Sequence, residues 1–425
     1  MRKISYLAFS AVLILFSGCE RTVTETVTYK INEPVFMAAD AFRSSVKVTE
    51  ERHPISDYGK ICLYNSFLYI AESGKGIHII NNRNPSEPQI AGFIELLGNV
   101  DLAIKDNLLY ADSFIDLVWF DLSDPSHPVL KGRLEDAFPR ALPPIENDFG
   151  YDFSQCFGDE NRGIIVGWNL TEQTVAISHT IGGWIWGDLK GDDLAAPVFA
   201  DNGGASQGVN GSMSRFSIHG GYLYTVLENE MNIFDLSEDT PVKAARDIYI
   251  GNNVETIFYY KENMFMGTPV GLLIYSIEHP LNPAYQSMVS HIYGCDPVVV
   301  ADDIAYVTVR SGNLCGQTND QLIVIDVSDV KNPVELVSYK MTQPKGLGVD
   351  KGLLFLCDEG LKIFKTDDPQ TIVANRLKHY PNMDGYDVIP FNNVLMMIAD
   401  NGLYQYDYSD ITNIKELSLL PFSKN

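Results

Sequence analysis

A short apolar strand followed by an acidic turn and one or two prolines recurs at intervals of roughly 40 residues, and this repeat decides the fold. The clearest copies run from Leu117 to Pro128 and from Leu322 to Pro333. Five further copies make seven in all, and they run from Ile77 to Pro88, Met231 to Pro241, Leu272 to Pro283, Leu361 to Pro369 and Leu403 to Asp410.

The spacing of the repeat is regular apart from one interval. The position after each strand's last apolar residue is occupied by Asn81, Asp121, Asp235, Ser276, Asp326, Lys365 and Asp407, which are 40, 114, 41, 50, 39 and 42 residues apart. Each unit also carries two short strands upstream and one downstream, with Asn, Gly or Asp between strands. Four-stranded units repeated in this way predict an all-β, seven-bladed β-propeller, whereas a two-sheet sandwich would not need seven equal units.

The turn after the repeated strand has its own physical logic. In Asp121-Leu122-Ser123-Asp124-Pro125, the Asp and Ser side chains can accept hydrogen bonds from nearby backbone amides. Proline fixes φ and cannot continue a paired strand. We therefore expect the chain to reverse at each copy.

The interval of 114 residues requires an insertion of about two repeat lengths. The upstream strands of the third copy are complete at 216–226, so residues 135–214 are interpreted as an insertion between blades. Its glycines at 203, 204, 208 and 211 lie among Ser and Asn, which is typical of a mobile loop. The alternative is an eighth, degenerate blade around 163–183.

The strand Leu322-Ile323-Val324-Ile325-Asp326 resembles the repeat that gives the bacterial LVIVD-repeat family its name. The resemblance covers about residues 56–420. It implies a propeller and says little about chemistry. Asn81, Ser276 and Lys365 depart from the motif by replacing its Asp.

Residues 1–18 have the features of a lipoprotein signal peptide. Arg2 and Lys3 precede an apolar stretch over 7–16, and Ser17-Gly18 stand before Cys19. This ending resembles a bacterial lipobox, which implies cleavage before Cys19 and acylation of its thiol. An ordinary cleaved signal is the alternative. Residues 19–55 are then an anchor and tether, flexible over 20–28, and the protein is expected on the periplasmic side of the envelope or at the cell surface.

The net charge limits the classes of partner. Lys and Arg total 31 against 55 Asp and Glu, which gives a formal charge of −24. Nucleic-acid binding is therefore not expected, because it needs clustered basic residues. Attachment to anionic membranes must depend on the lipid at Cys19 rather than on a basic patch.

In a propeller, the first strand of each blade lines a central channel. Aligning the units on their second strands places an ionisable residue at the start of every first strand, and we call this end of the channel the channel mouth. These residues are Lys60, Asp101, Arg215, Glu255, Asp296, Lys345 and Asp387. They predict either a binding site or a ring of blade-to-blade ion pairs.

The insertion carries three of the four tryptophans, at positions 168, 184 and 186. Strand alternation places Trp184 and Trp186 on one side of the chain. Exposed aromatic side chains suit sugar rings or a partner protein. The alternative is that Trp168, Trp184 and Trp186 pack the insertion onto the propeller.

The cysteines and histidines indicate no cofactor and no metal centre. Cys295 and Cys315 are expected at the channel mouth of one blade, where an exported chain permits a disulfide. Cys62 and Cys357 fall within apolar strands and are predicted to be core residues. CxxC, HExxH and calcium-loop motifs are absent from the sequence.

No catalytic residues are assigned. The favoured function is a non-enzymatic binding or scaffolding propeller for an unidentified envelope protein or glycan. The alternatives are a structural part of an envelope assembly and an enzyme acting on envelope or extracellular glycans. Catalysis would require carboxylates such as Asp101, Glu255, Asp296 and Asp387 to converge as an acid and a base.

Overall fold

Seven four-stranded antiparallel sheets form the body of the protein, each built from consecutive strands. The structure, a computed structural model, describes residues 21–145, 147, 149–157, 162–181, 209–227, 229–238, 240–251, 253–290, 297–310 and 320–422. The sheets are numbered as blades 1 to 7 in chain order.

The strands of blades 1 to 4 are short and evenly spaced. Blade 1 contains Tyr58–Tyr64, Phe67–Glu72, Gly76–Asn81 and Gln89–Glu95. Blade 2 contains Leu102–Lys105, Leu108–Ser113, Asp116–Asp121 and Val129–Leu134. Blade 3 contains Phe216–His219, Tyr222–Leu227, Glu230–Asp235 and Val242–Tyr249. Blade 4 contains Thr256–Tyr260, Asn263–Thr268, Gly271–Ser276 and Ala284–Ser290.

Blades 5 to 7 repeat the same plan. Blade 5 contains Val298–Ala301, Ile304–Val309, Gln321–Asp326 and Val334–Lys340. Blade 6 contains Leu347–Asp350, Leu353–Cys357, Leu361–Lys365 and Arg376–Tyr380, with a short 3-10 helix at Ile372–Asn375. Blade 7 contains Gly385–Phe391, Val394–Ala399, Gly402–Asp407 and Lys415–Pro421.

The first and second strands of every blade are joined by a two-residue turn in which both residues have positive φ. Such turns match the right-handed twist of the flanking strands, and they favour Asn, Asp and Gly. The seven pairs are Asn65–Ser66, Asp106–Asn107, Gly220–Gly221, Lys261–Glu262, Asp302–Asp303, Lys351–Gly352 and Asn392–Asn393. One local rule therefore forms the same hairpin seven times.

The acidic turn after each third strand forms as predicted. The carboxylates of Asp121, Asp326 and Asp407 accept the backbone N–H two residues later, at 2.7, 2.9 and 2.8 Å. Asn81 makes the same contact through its side-chain oxygen. The capping role predicted for the motif is confirmed, and a substituted copy keeps the turn by using another acceptor.

The blades close into a ring around one axis. The first strand of each blade contacts the first strand of the next, and the first strand of blade 7 contacts that of blade 1. Among the described residues, seven apolar clusters each join two neighbouring blades. The prediction of seven blades is confirmed, because every blade buries both faces against its neighbours.

The described residues of the predicted insertion form no eighth blade. Residues Ile164–Ile181 form one long strand, which pairs with Arg21–Met37 in a separate two-stranded sheet. A short helix, Phe153–Cys156, precedes the long strand. The eighth-blade alternative is therefore wrong.

Part of the predicted tether forms regular structure instead. The chain is a strand over Arg21–Met37, a helix over Ala39–Arg43 and a strand over Lys47–Thr49. The last strand pairs with the fourth strand of blade 1 and covers its outer edge. Phe42 is buried, and Nε of Arg43 donates to Asp116 at 2.9 Å in blade 2. Burial and pairing with distant residues, rather than local composition, order this segment.

By its internal contacts, the chain divides into two compact units. The blades belong to the larger unit, and residues 21–34, 149–157 and 168–181 belong to the smaller one. In the smaller unit, Thr28 contacts Thr174 and Tyr29 contacts Gln173, so the paired strands run antiparallel. Among the described residues, no helix has the length and apolar character needed to cross a bilayer.

The junction between blades 7 and 1 is stabilised by a buried pair of amides. Asn82 donates to Gln405 at 3.0 Å, and Gln405 donates to Asn82 at 2.6 Å. Both side chains are buried. Each amide therefore depends on the other for its hydrogen bonds.

The Gln405→Leu variant is expected to lose about 2–3 kcal/mol of unfolding free energy, because the buried amide of Asn82 loses its partner. The double variant Asn82→Leu, Gln405→Leu should recover part of this loss, since no unpaired amide remains. Urea denaturation followed by fluorescence measures both. If the double variant lost as much unfolding free energy as the two single variants together, the reciprocal pairing would be contradicted.

Candidate functional site

The structure places the described channel-mouth residues where the sequence alignment predicts them. Lys60 and Asp387 lie near the beginnings of the first strands of blades 1 and 7. Asp101, Arg215 and Glu255 directly precede those of blades 2, 3 and 4. Lys345 lies two residues before that of blade 6, and Asp296 lies outside the described residues.

Burial separates these residues into two groups. Lys60, Asp101, Arg215 and Asp387 are at most 6% exposed, whereas Glu255 and Lys345 are half-buried. Burying a charged group is costly unless hydrogen bonds or opposite charges compensate. The contacts of the buried group therefore decide what the channel mouth can do.

A short segment of the insertion, residues 209–215, occupies the channel mouth, and we call it the axial strap. Val209 and Asn210 pair with Leu63 and Cys62 on the inner edge of blade 1. The N–H of Gly211 donates to the carbonyl of Ile61 at 3.2 Å. Gly211 was predicted in a mobile loop, and that prediction is wrong, because the strap is paired as a strand and hydrogen-bonded to the blades.

The axial strap also reaches blades on other sides of the ring. Oγ of Ser212 donates to Asp387 of blade 7 at 2.9 Å and accepts the N–H of Leu347 of blade 6 at 2.9 Å. The carbonyl of Ser214 accepts the N–H of Ile257 of blade 4 at 2.8 Å. A segment bonded to first strands on several sides of a ring must lie on its axis.

Asp101 binds the end of the strap. Its carboxylate accepts the N–H groups of Arg215 at 2.7 Å, Phe216 at 3.2 Å and Leu102 at 2.7 Å, and it accepts the hydroxyl of Ser214 at 3.3 Å. Burial raises the pKa of Asp101 to about 7, although the positive charge of Lys60 acts in the opposite direction. Both oxygens are therefore engaged by the protein itself.

Asp387 has the same role nearer the beginning of the strap. Its Oδ1 accepts both the N–H and the hydroxyl of Ser212, as well as the N–H of Val388. Burial raises the pKa of Asp387. Burial also lowers the pKa of Lys60, which donates to the hydroxyl of Tyr386 at 3.2 Å. Desolvation thus raises the pKa values of the two acids and lowers that of the lysine, so it favours the neutral form of each group.

A second set of carboxylates lies where second strands end at the channel mouth. Glu72 accepts the N–H groups of Ser56 and Asp57, and Asp112 accepts those of Val100 and Asp101. In blade 6, Asp358 accepts the N–H groups of residues 342 and 343 at 3.0 and 2.9 Å. These residues hold the segment that leads into the first strand of their own blade.

Glu72 illustrates how strongly such a cap binds. Burial alone would raise its pKa, but hydrogen bonds from His78 and Ser56 hold the pKa well below its usual range. In blade 6, Nζ of Lys362 donates to Asp358 at 2.7 Å in place of the histidine. No capping role was predicted for these acids from the sequence.

A cavity of about 320 Å³ opens between blades 6 and 7 on the channel-mouth face. Its lining includes Asp358, Glu359, Asp384 and Asp400. Nζ of Lys345 donates to Asp384 at 2.6 Å, so an ion pair links the two blades beside the cavity. Charged groups are therefore accessible at the rim of the channel mouth rather than inside the channel.

The predicted aromatic site is only partly described. Trp168 is half-buried in the long strand of the insertion, and the centroid of its ring lies 4.9 Å from the ring centroid of Tyr151. This contact lies within the insertion, so both alternatives for Trp168 stay predictions. Trp184 and Trp186 lie outside the described residues.

The structure supplies little cysteine or metal chemistry. Cys62 and Cys357 are buried core residues, as predicted, and burial raises the pKa of both thiols. Cys19, Cys295 and Cys315 lie outside the described residues. Within the part of the chain that the structure describes, no three His, Cys, Asp or Glu side chains are grouped to hold a metal ion.

The sequence comparison supports the repeat assignment. The model of the LVIVD repeat matches residues 57–94, 99–136, 210–242 and 296–341. The chain carries LVIVD repeats. The matched segments fall on blades 1, 2, 3 and 5, and each includes the turn after the third strand, with Asp or Asn at its first position, and the strands that precede it. No curated protein matches the sequence.

Two solved structures share the fold at low sequence identity. The periplasmic gluconolactonase of Pseudomonas aeruginosa is 9% identical with a TM-score of 0.52, over 86% of this chain and 98% of that one. A protein from Lactobacillus plantarum is 8% identical with a TM-score of 0.52, over 86% of this chain and all of that one. Similarity at this level shows the propeller fold alone.

The Asp101→Asn variant tests the buried acid. Because the folded-state pKa of Asp101 lies near 7 and the unfolded value near 3.9, its ionisation destabilises the wild type as pH rises toward 7. Asparagine cannot ionise. The stability advantage of wild type over the variant should therefore shrink by up to about 1 kcal/mol per pH unit between pH 5 and pH 7.

Urea denaturation at pH 5, 6, 7 and 8 measures this difference. Glu238→Gln is the control, since Glu238 is an exposed acid outside the channel mouth. If the stability advantage of wild type stays constant or grows with pH, burial does not raise the pKa of Asp101.

Proposed function

We propose that this protein is a lipid-anchored envelope protein whose propeller binds or scaffolds a protein or glycan without catalysis. One observation carries the non-enzymatic part: the buried acids at the channel mouth already accept hydrogen bonds from the protein's own backbone. Asp101 accepts three backbone N–H groups, and Asp387 binds Ser212 through both its N–H and its hydroxyl.

A glycosidase-type mechanism needs two carboxyl groups that face a common substrate. Here the axial strap lies between the first strands, so that Asp101 and Asp387 face the strap. A substrate would have to displace it. The same arrangement favours recognition at the rim of the channel mouth. There the side chain of Asp384 is 60% exposed beside the cavity between blades 6 and 7, and it pairs with the less exposed Lys345.

The envelope address rests on the sequence. The basic start, the apolar stretch and Ser17-Gly18-Cys19 support export and acylation. With a net charge of −24, the body would be repelled by anionic lipid head groups. A lipid on Cys19 would therefore supply the attachment and leave the propeller free to engage a partner.

Labelling tests the anchor. When the chain is expressed in a bacterial host with radiolabelled palmitate, the wild type should take up label and the Cys19→Ser variant should lose essentially all of it. Cys156→Ser is the matched control, because this half-buried cysteine should not be acylated. Equal labelling of wild type and Cys19→Ser would refute acylation at Cys19.

Partner capture tests the binding face. The tagged chain is used to capture proteins from envelope extract, and its soluble form is tested on a glycan array. In the rim variant, Lys345→Gln with Asp384→Asn, net charge is unchanged. We expect at least a fivefold loss of the captured partner or glycan, because an inter-blade ion pair at the rim has been removed.

The control variant removes a similar ion pair from the opposite face. Nζ of Lys261 in blade 4 donates to Asp303 in blade 5 at 2.7 Å, and both residues lie in hairpin turns away from the channel mouth. Lys261→Gln with Asp303→Asn should retain capture. If the two double variants lose capture equally, the rim is not the binding face.

A further inference from the structure

The ring has one junction that the chain does not cross. Each of blades 1 to 6 is connected to the next blade by a segment of chain, whereas blade 7 ends at Pro421 and blade 1 begins at Tyr58. Each blade completes its four strands from its own segment. Non-covalent contacts must therefore hold the junction between blades 7 and 1.

The axial strap spans this junction with consecutive residues. The N–H of Gly211 donates to the carbonyl of Ile61 in blade 1 at 3.2 Å. The next residue, Ser212, donates its N–H to Asp387 in blade 7 at 3.1 Å and its hydroxyl to the same oxygen at 2.9 Å. Two consecutive residues therefore bridge the two ends of the ring.

The strap fits closely against blade 7. A Cβ at Gly211 would lie 1.8 Å from Oδ2 of Asp387, which is far inside van der Waals contact. Gly346, which precedes the first strand of blade 6, also lies against this carboxylate, and a Cβ added there would be 2.2 Å from Oδ1. Asp387 therefore cannot move away toward blade 6 to admit a larger residue.

The strap is buried from Ser212 to Arg215. Ser212 is 4% exposed and Ser214 is 1% exposed. Beyond the junction, the hydroxyl of Ser214 donates to Asp101 in blade 2. The strap is thus hydrogen-bonded to blades 7, 1 and 2, on both sides of the junction between blades 7 and 1.

We propose that the axial strap is the clasp of the propeller: it closes the ring between blades 7 and 1, and its release opens that junction before any other. The insertion between blades 2 and 3 thereby controls a junction to which it is not adjacent in sequence. Opening would expose the first strands of blades 1 and 7 and the charged side chains buried beneath the strap.

Hydrogen exchange followed by mass spectrometry tests the clasp on the full chain. In Gly211→Ala, the added methyl group should unseat the strap and speed amide exchange in Tyr58–Tyr64 and Gly385–Phe391 by at least about tenfold. Exchange in Gln321–Asp326 of blade 5 should change by less than about twofold. Gly167→Ala is the matched control, because its Cβ would meet no atom within 4 Å.

A milder variant keeps the test informative if Gly211→Ala does not fold. Ser212→Ala removes the hydroxyl that binds Asp387 and Leu347 while leaving the strap backbone unchanged. Exchange at the same two strands should rise about threefold or more, again without a change in blade 5. Equal acceleration in blades 1, 5 and 7, or none in either variant, would overturn the proposal.

Discussion

The apolar character of both faces of every blade is the constraint on which the structure depends. A four-stranded sheet with two apolar faces cannot bury them alone, so each blade requires a neighbour on both sides. The seven clusters between neighbouring blades meet this need, and the cluster between blades 7 and 1 closes the series with Ile61 and Ile398 among its members. Closure is therefore an energetic requirement, although the chain itself does not connect the last blade to the first.

Local rules made the blades predictable. Asn392–Asn393 and the turn after Asp326 specify their conformations within a few residues, and the repeat carries both rules around the ring. The period also located the channel mouth, because Asp101 and Asp387 can be aligned without knowing what they contact. The sequence is sufficient to predict structure that arises from local hydrogen bonds and a fixed repeat period.

Long-range pairing limited prediction elsewhere. The strap sequence Asn210-Gly211-Ser212 has the composition of a loop, and Cys62, the strand partner of Asn210, lies almost 150 residues earlier. The Thr-rich segment after residue 20 likewise has its partner strand beyond residue 160. In both cases, the local sequence does not indicate that a distant strand will pair with the segment. Local composition indicates how flexible the backbone would be by itself. Buried hydrogen bonds to residues distant in the sequence can still order the segment.

The same limit explains why charged residues at a channel mouth do not by themselves define an active site. A carboxylate that accepts backbone N–H groups and one that awaits a substrate look identical in sequence. Asp101 and Asp358 are distinguished from catalytic acids only by their partners, which are main-chain amides of the mouth segments. Because these amides would be left unpaired if the acids turned toward a ligand, the mouth is a rigid support. The binding that we propose would then involve side chains at its rim, such as Asp384, whose side chain is 60% exposed.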